Sequence, residues 1–283
     1  MADDSLCYLN GEYLPLSSAR IPVLDRGFIF GDGIYEVVPV YRKRPFRLEQ
    51  HVDRLERSLA EVRIANPHTR AQWRALIERL VASSPGADLV VYLQVTRGVA
   101  RRDFAFPAGV TPTVFAMISP LTRPTPAQRD TGLRAISIPD LRWLRCDIKS
   151  VSLLGAVMAR QQAADQGLDE VVQHRDGRLT EGSASNIWVV KAGRVLAPPR
   201  DHLILEGIRY GFVQELCERA AIPFEARVIS MDEVRGADEL LLTAATREVL
   251  PIVQLDGRPV GDGRPGPVYR QLRRGYDAAI DAL

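Results

Sequence analysis

Cys146-Asp-Ile-Lys-Ser-Val-Ser-Leu-Leu-Gly155 is the stretch on which the reading of this chain turns, because it holds one of only three lysines, Lys43, Lys149 and Lys191. The other 34 cationic side chains are arginines. Arginine stays charged and forms no imine, whereas a lysine that sheds its proton attacks a carbonyl carbon. Lys43, in Tyr41-Arg-Lys-Arg-Pro45, and Lys191, in Val189-Val-Lys-Ala-Gly-Arg194, sit at turn-like spots among polar neighbours and read as solvated. Lys149 lies between a Trp-containing segment and an apolar run. It is either a nucleophile or a surface lysine preceding a helix.

The 283 residues suffice for one large domain or two ordinary ones. A hydrophobic content of 46% with 25% charged residues is that of a globular protein. The net charge of +2, with Arg and acidic residues interspersed, gives no electrostatic case for nucleic acid. No apolar run reaches the ~18 residues of a membrane helix, and the acidic start Met1-Ala-Asp-Asp-Ser5 lacks a signal core. Cys7, Cys146 and Cys217 are widely separated and odd in number, which suits a reducing cytoplasm. The four histidines show no metal-ligand spacing.

Outward from Lys149 the pattern is α/β. Hairpins are expected at Leu6–Leu9/Glu12–Leu14 around Asn10-Gly11, and at Glu36–Tyr41/Pro45–Leu48. Val52, Leu55, Leu59 and Val62 give Glu49–Arg63 a helical stripe; Trp73, Leu76, Ile77 and Leu80 mark another helix. Leu89–Thr96 and Thr113–Ile118 read as strands. The proline-rich Ser119-Pro-Leu-Thr-Arg-Pro-Thr-Pro126 cannot be the interior of a regular element. It marks a linker over 119–128 between an N-terminal domain, 1–118, and a C-terminal domain, 129–283. Beyond it, Leu133–Ile138 reads as a strand and Ser150–Gln166 as a helix capped by Gly167. Strands flank the turns Arg175-Asp-Gly-Arg178 and Ala192-Gly193. Ile208–Ala221 is a helix, Glu239–Thr243 a strand, and a last helix follows a loop at Gly257–Pro267.

An imine-forming lysine is useful with a carbonyl cofactor such as pyridoxal phosphate, which also needs an acid at its pyridine nitrogen and a phosphate cradle. Glu181 is the candidate acid, followed by the small residues Gly182, Ser183, Ala184 and Ser185, which let backbone approach a flat ring; the alternative is an exposed strand-end Glu. Gly207-Ile208-Arg209 opens a helix whose free N–H groups favour an anion. Thr246 is a second donor. Arg54 lies off the apolar stripe of its helix, either a charge-assisted phosphate contact or a solvated residue. Neither G-x-G-x-x-G nor G-x-x-x-x-G-K occurs.

In order along the chain, Gly31-Asp-Gly-Ile-Tyr-Glu-Val-Val-Pro-Val-Tyr41, His51-Val-Asp-Arg-Leu55, Thr96-Arg-Gly98, Ile148-Lys-Ser150, Thr180-Glu-Gly-Ser-Ala-Ser-Asn186 and Ile204-Leu-Glu-Gly-Ile208 resemble the class IV pyridoxal-phosphate aminotransferases. The likeness runs from about Tyr8 to Leu255, and Ile34–Tyr41 is most similar to the D-amino acid (D-alanine) type. It implies a two-domain α/β fold: a smaller N-terminal α/β domain and a larger C-terminal α/β pseudo-barrel that binds the cofactor. It implies that Lys149 holds pyridoxal phosphate and shuttles the proton, and that Glu181 faces the pyridine nitrogen. Arg54 becomes a phosphate ligand, Ile208, Arg209, Ala245 and Thr246 fall in the phosphate cup, and Leu205 packs against the ring. Tyr35 and Arg102 hold the substrate carboxylate, Arg102 reaching in from the partner of a homodimer. The implied substrates are a D-amino acid donor and a 2-oxo acid acceptor such as 2-oxoglutarate.

The chain departs from that pattern. Where the family has Arg-x-His, Arg102-Asp-Phe104 lacks the His, and the usual preceding Pro is Arg101. Arg209 and Ala245 stand where cup hydroxyls are common. Loss of the trap His keeps open an (R)-selective amine transaminase or a lyase of the same fold, and a non-catalytic protein retaining the fold is a third reading, disfavoured by Lys149 and Glu181.

Overall fold

A computed structural model describes residues 4–283. They form two compact units. The first comprises residues up to Thr122 together with Ile148–Leu153 and Leu283; the second comprises Arg123–Asp147 and Leu154–Ala282.

The first unit is built on a six-stranded sheet, β1 (Leu6–Leu9), β2 (Glu12–Pro15), β3 (Gly33–Tyr41), β4 (Arg44–Pro45), β5 (Leu89–Thr96) and β6 (Thr113–Pro120), in the order β2-β1-β6-β5-β3-β4. Every pairing is antiparallel. In β5, Leu89, Val91, Leu93 and Val95 are buried while their neighbours are mostly half-buried, the period of two expected of one covered face. Helices α1 (Arg26–Phe30), α2 (Leu48–Glu61) and α3 (Arg70–Ser83) complete this unit. Val52, Leu55 and Leu59 of α2 join Trp73, Leu76 and Leu80 of α3 in a core with Val38, Val91 and Val95.

Local chemistry sets the boundaries. The β1–β2 turn places Asn10 and Gly11 at φ 50° and 101°, the left-handed region that tight hairpins need. α3 opens on a capping box between Thr69 and Gln72. Lys43, read as solvated, instead donates from Nζ to the carbonyls of Val81 and Ser84 at the far end of α3, where a cation meets the negative end of the helix. Asp25 is fully buried and caps α1 through Gly27 N at 2.8 Å, while accepting from the Thr96 and Thr113 hydroxyls at 3.0 and 2.7 Å.

The second unit carries a nine-stranded mixed sheet: β7 (Leu133–Pro139), β8 (Glu170–Arg175), β9 (Arg178–Leu179), β10 (Asn186–Lys191), β11 (Arg194–Ala197), β12 (Phe224–Ala226), β13 (Glu239–Ala244), β14 (Glu248–Leu255) and β15 (Arg258–Pro259). The order is β12-β11-β10-β13-β14-β7-β8-β9, with β15 paired to β14. Its helices are α4 (Pro126–Thr131), α5 (Leu154–Asp165), α6 (Ile208–Arg219), α7 (Met231–Arg235) and α8 (Pro267–Asp281). Among the described residues no helix is long and apolar enough to cross a membrane.

The sequence expectation omits α1, β12, α7 and β15, and its hairpin arm Pro45–Leu48 is cut to Arg44–Pro45 because Leu48 begins α2. Three further differences have a local cause. The proline-rich 119–128 stretch is not all linker: β6 runs to Pro120, and Pro126 starts α4 behind a Thr125/Gln128 capping box. Proline at the first helical position costs no hydrogen bond, so the residue read as a breaker is a starter. The helix expected from Ser150 begins at Leu154, and Ile148–Leu153 is part of the first unit. Strand β14 is absent from the sequence expectation, because Pro251 interrupts its apolar run.

Candidate active site

In the first unit, the edge of β3 positions Lys149. β3 pairs with β5 on one side along Gly33–Val40, while β4 covers only its far end, at Val40 and Tyr41. The near end is left for another strand, and residues 148–151 take it. Tyr35 N donates to Lys149 O and Val151 N to Gly33 O, each at 3.0 Å, with a bridge between Ile34 and Ser150. Ser152 Oγ donates to Gly31 O at 3.0 Å. Gly31 sits at φ 66°, and a Cβ there would lie 2.6 Å from Ser152 Oγ, so only glycine allows this closure. Lys149 Nζ stands 4.0 Å from the centroid of the Tyr35 ring. Tyr35 itself stacks on Tyr92 with centroids 5.8 Å apart.

Arg54 is buried at 3% exposure, so the solvated reading fails. Its Nε and Nη2 donate to the two oxygens of Glu36 at 2.7 and 2.9 Å, and Glu36 also meets His51 Nδ1 at 2.7 Å. Burial alone would push the Glu36 carboxyl up; the Arg54 charge and the His51 and Arg54 hydrogen bonds outweigh it and hold the group far below the usual range. Sequence reasoning misses Glu36, although a signal exists. It shares the core face of β3 with Ile34 and Val38, and an acid at that register needs a buried cation. His51, Arg54 and Ser58 supply the answering polar stripe on α2.

Arg102 and Phe104 are exposed in the single chain, Phe104 at 77%. The loop bearing them hangs from a network around Asp32. Arg97 donates to both Asp32 oxygens at 2.8 and 3.0 Å, and Arg26 to one at 2.7 Å. Arg26 Nη1 also reaches Asp103 O at 2.5 Å. Burial pushes the Asp32 carboxyl up, but the two guanidiniums lower it on balance.

In the second unit, Glu181 is 4% exposed and held by protein donors. Arg142 Nη1 donates to Oε1, while Leu205 N and Asn186 Nδ2 donate to Oε2 at 3.1 and 3.3 Å. Burial pushes its carboxyl up, opposed by Arg142 and the Leu205 amide. Arg142 is itself held on Asp140 by two bonds, 2.9 and 2.7 Å, and Asp140 takes further bonds from Arg175 at 3.2 Å and from the Thr180 hydroxyl at 2.9 Å. Asn186 Nδ2 also donates to Leu205 O at 2.9 Å, so one amide joins the segments of Glu181 and Leu205. The exposed strand-end alternative for Glu181 is therefore wrong.

Of the residues expected at a phosphate, Ile208 and Arg209 open α6, and Arg209 meets Ala245. Gly207 precedes α6 with no side-chain cap, so the first amides of Ile208 and Arg209 remain available. A Cβ on Gly207 would lie 2.2 Å from Asn186 Oδ1, so the backbone approach requires glycine. Arg209, 2% exposed, donates from Nη2 to Ala245 O at 3.1 Å and from Nε to the Tyr276 hydroxyl at 2.7 Å. It staples the start of α6 to the 245–246 segment and to α8. The small-residue loop after Glu181 is fixed by buried Glu170, which accepts from Ser183 N at 3.1 Å, from the Ser183 and Ser185 hydroxyls at 2.5 and 3.0 Å, and from Arg247 at 2.9 Å. Asp140 and Arg142 pair only two residues apart, but the groups they brace, Thr180, Arg175 and Glu181, are distant along the chain, as are the partners of Glu170, so none of the three carries a sequence signal.

Residues 33–255 match the family model described as Amino-transferase class IV. The chain belongs to that family. It is 37% identical to the D-alanine aminotransferase of Staphylococcus aureus (strain MSSA476), over 97% of this chain and 98% of the relative. It is 38% identical to the D-alanine aminotransferase of Bacillus licheniformis, over 96% and 95%. Among solved structures, the Escherichia coli branched-chain amino acid aminotransferase superposes with a TM-score of 0.92 at 21% identity, over 97% of this chain and 94% of that one. A T.th. branched-chain amino acid aminotransferase complexed with N-(5'-phosphopyridoxyl)-L-glutamate gives 0.91 at 24%, over 100% and 96%. These two fix the fold.

Two expectations follow. Glu36→Gln leaves Arg54 buried with a weakened partner and destabilises the first unit by about 3–5 kcal/mol in denaturant titration. A depressed folded-state value also means that Glu36 stabilises fully above its ordinary value of 4.5 and progressively less as pH falls below it. The parent therefore loses stability in acid more steeply than the variant; equal slopes would remove Glu36 from that role. Arg142→Lys keeps the charge but cannot form the forked bond to Asp140 while also reaching Glu181. It is expected to lower the melting temperature of the second unit by several degrees, about 1–3 kcal/mol, and no change would contradict the network.

Proposed function

We propose that the chain is a D-amino acid transaminase, moving the amino group of D-alanine or a similar D-amino acid to a 2-oxo acid such as 2-oxoglutarate with pyridoxal phosphate as cofactor. What carries the reading is Lys149: a rare residue type, anchored on β3 beside Tyr35, in a chain 37% identical over 97% of its length to a D-alanine aminotransferase. The donor set fits the cofactor. An amine, a buried acid braced by arginine, uncapped helix amides and a glycine-only approach are what an aldehyde, a pyridine nitrogen and a phosphate need.

When bound, the cofactor supplies an electron sink for the carbanion left by departure of the α-proton. The chain's residues do the rest. Lys149 anchors the cofactor and moves the proton. Glu181 holds a proton on the pyridine nitrogen, and the bonds from Arg142, Asn186 and Leu205 keep its carboxylate aimed while water is excluded. The Ile208 and Arg209 amides and Thr246 bind phosphate, with Ala245 part of the same wall and Leu205 against the ring. Arg54 is the further phosphate ligand, its plane set by Glu36.

Tyr35 and Arg102 bind the substrate carboxylate, Arg102 coming from the partner of a homodimer. Support for the dimer is the exposed apolar surface around that loop: Leu24, Phe28, Val99, Phe104 and Phe106 are all 43% exposed or more. The three cysteines are buried and unpaired, in keeping with a cytoplasmic protein. A second reading, an (R)-selective amine transaminase, draws on Phe104, an apolar group where a polar one is usual.

Turnover of D-alanine against (R)-1-phenylethylamine separates the two. A charged contact contributes about 1.5–3 kcal/mol, so Arg102→Ala should lower kcat/KM for D-alanine by about 10- to 150-fold and leave the amine nearly unchanged. Phe104→His should raise kcat/KM for D-alanine. Equal losses on both substrates would make Arg102 structural, and a parent that prefers the amine would overturn the D-amino acid reading.

A further inference from the structure

Helices α4 and α8 line a cleft of about 370 Å³ in the second unit, and none of its lining residues has a role in the proposed transamination. Two of its lining arginines, Arg129 and Arg273, donate to the fully buried Glu248 at 2.8 and 2.7 Å, and Arg123 reaches the same carboxylate at 2.8 Å. Arg273 also grips Asp277 through Nε at 3.0 Å. Those three guanidiniums are accounted for.

Arg270 and Arg274 are not. Both line the cleft, and neither has an ion pair or side-chain hydrogen bond among the described residues. They stand four apart on α8 and so share a face, an arrangement in which like charges repel. Four guanidiniums, of Arg129, Arg270, Arg273 and Arg274, and two carboxylates, of Asp130 and Asp277, line the cleft. The cleft carries an excess of two positive charges.

A second observation points the same way. Tyr269 is 3% exposed and lines the cleft, yet its hydroxyl has no hydrogen-bond partner; the same is true of Arg129 Nε. A buried donor left unsatisfied costs about 1–3 kcal/mol, so two of them beside two unpaired arginines describe a site awaiting an acceptor. Burial pushes the Tyr269 phenol up to about 12, so it is a proton donor at neutral pH.

We propose that this cleft binds a small phosphate-bearing anion, its phosphoryl head taken by Arg270 and Arg274 with donation from the Tyr269 hydroxyl and Arg129 Nε. A tetrahedral dianion presents terminal oxygens in several directions and matches both the charge excess and donors arriving from two helices. A flat carboxylate satisfies one fork. The volume exceeds that of a bare phosphate and lies at the lower end of small-ligand sites, which run from roughly 300 Å³ upward. That leaves room for a compact phosphorylated metabolite.

The test is calorimetric titration of the holoenzyme, whose own phosphate cup is already filled, with inorganic phosphate and separately with glycerol 3-phosphate. Chloride at matched ionic strength and succinate serve as controls. One saturable site per chain is expected. Arg270→Ala combined with Arg274→Ala should weaken it at least 30-fold, and Tyr269→Phe several-fold, with cofactor content and circular dichroism unchanged because the arginines are exposed. Tighter binding of the ester names a metabolite as the occupant, and equal binding names free phosphate. Absence of saturable binding, unchanged affinity in the double variant, or succinate binding as well as phosphate would each overturn the proposal.

Discussion

Two backbone hydrogen bonds, Tyr35 N to Lys149 O and Val151 N to Gly33 O, are the constraint from which the rest of the site follows. Residues 148–153 leave the second unit's chain path to occupy the one uncovered stretch of the β3 edge, and they return to begin α5 at Leu154. An open strand edge is a liability that proteins cover. Here the cover also fixes the backbone of Lys149 to a sheet, which is stiffer than a loop. The amine then rests over Tyr35, whose neighbour in sequence, Glu36, sets Arg54. A single strand thus carries an aromatic against the lysine and, one residue on and facing the other way, the acid that orients a cation.

The second unit solves a different problem. It buries five carboxylates; Glu239 accepts from the first amides of α8, and Asp140, Glu170, Glu181 and Glu248 each meet at least one arginine. Burying such charges costs several kcal/mol per ion, and mutual attraction offsets this only with good geometry and further hydrogen bonds. The forks of arginine provide that geometry, which gives a physical reason for a chain with so few lysines. The arrangement is rigid because single guanidiniums tie two carboxylates together: Arg142 bridges Asp140 and Glu181, and Arg273 bridges Glu248 and Asp277. Removing one carboxylate strands its neighbours.

Local periodicity makes much of this legible. The helices at Val52–Leu59 and Trp73–Leu80, the strands at Leu89–Thr96 and Thr113–Ile118 and the Asn10-Gly11 turn all announce themselves through spacing and turn residues. Lys149 and Glu181 stand out through rarity and through small neighbours. What stays hidden depends on distant partners. Ser150–Leu153 looks helical until the edge of β3 competes for its amides. Pro126 looks like a stop until Thr125 and Gln128 are seen to cap the helix it starts. Arg142, Asp140 and Glu170 are ordinary polar residues until the fold buries them, and Arg54 looks solvated because a helix stripe judged by apolar residues alone omits a buried ion pair.

The central claim is that Lys149 and Glu181 serve a cofactor-dependent amino transfer selective for the D-configuration. Mixing the purified, cofactor-loaded protein with D-alanine alone, with no acceptor, and following the cofactor's absorbance tests it directly. The account predicts that the long-wavelength band of the lysine-bound cofactor is lost with D-alanine, that L-alanine leaves it in place on the same timescale, and that 2-oxoglutarate restores it with release of D-glutamate. Loss of the band with L-alanine at an equal or greater rate, or no change with either enantiomer, would contradict the account.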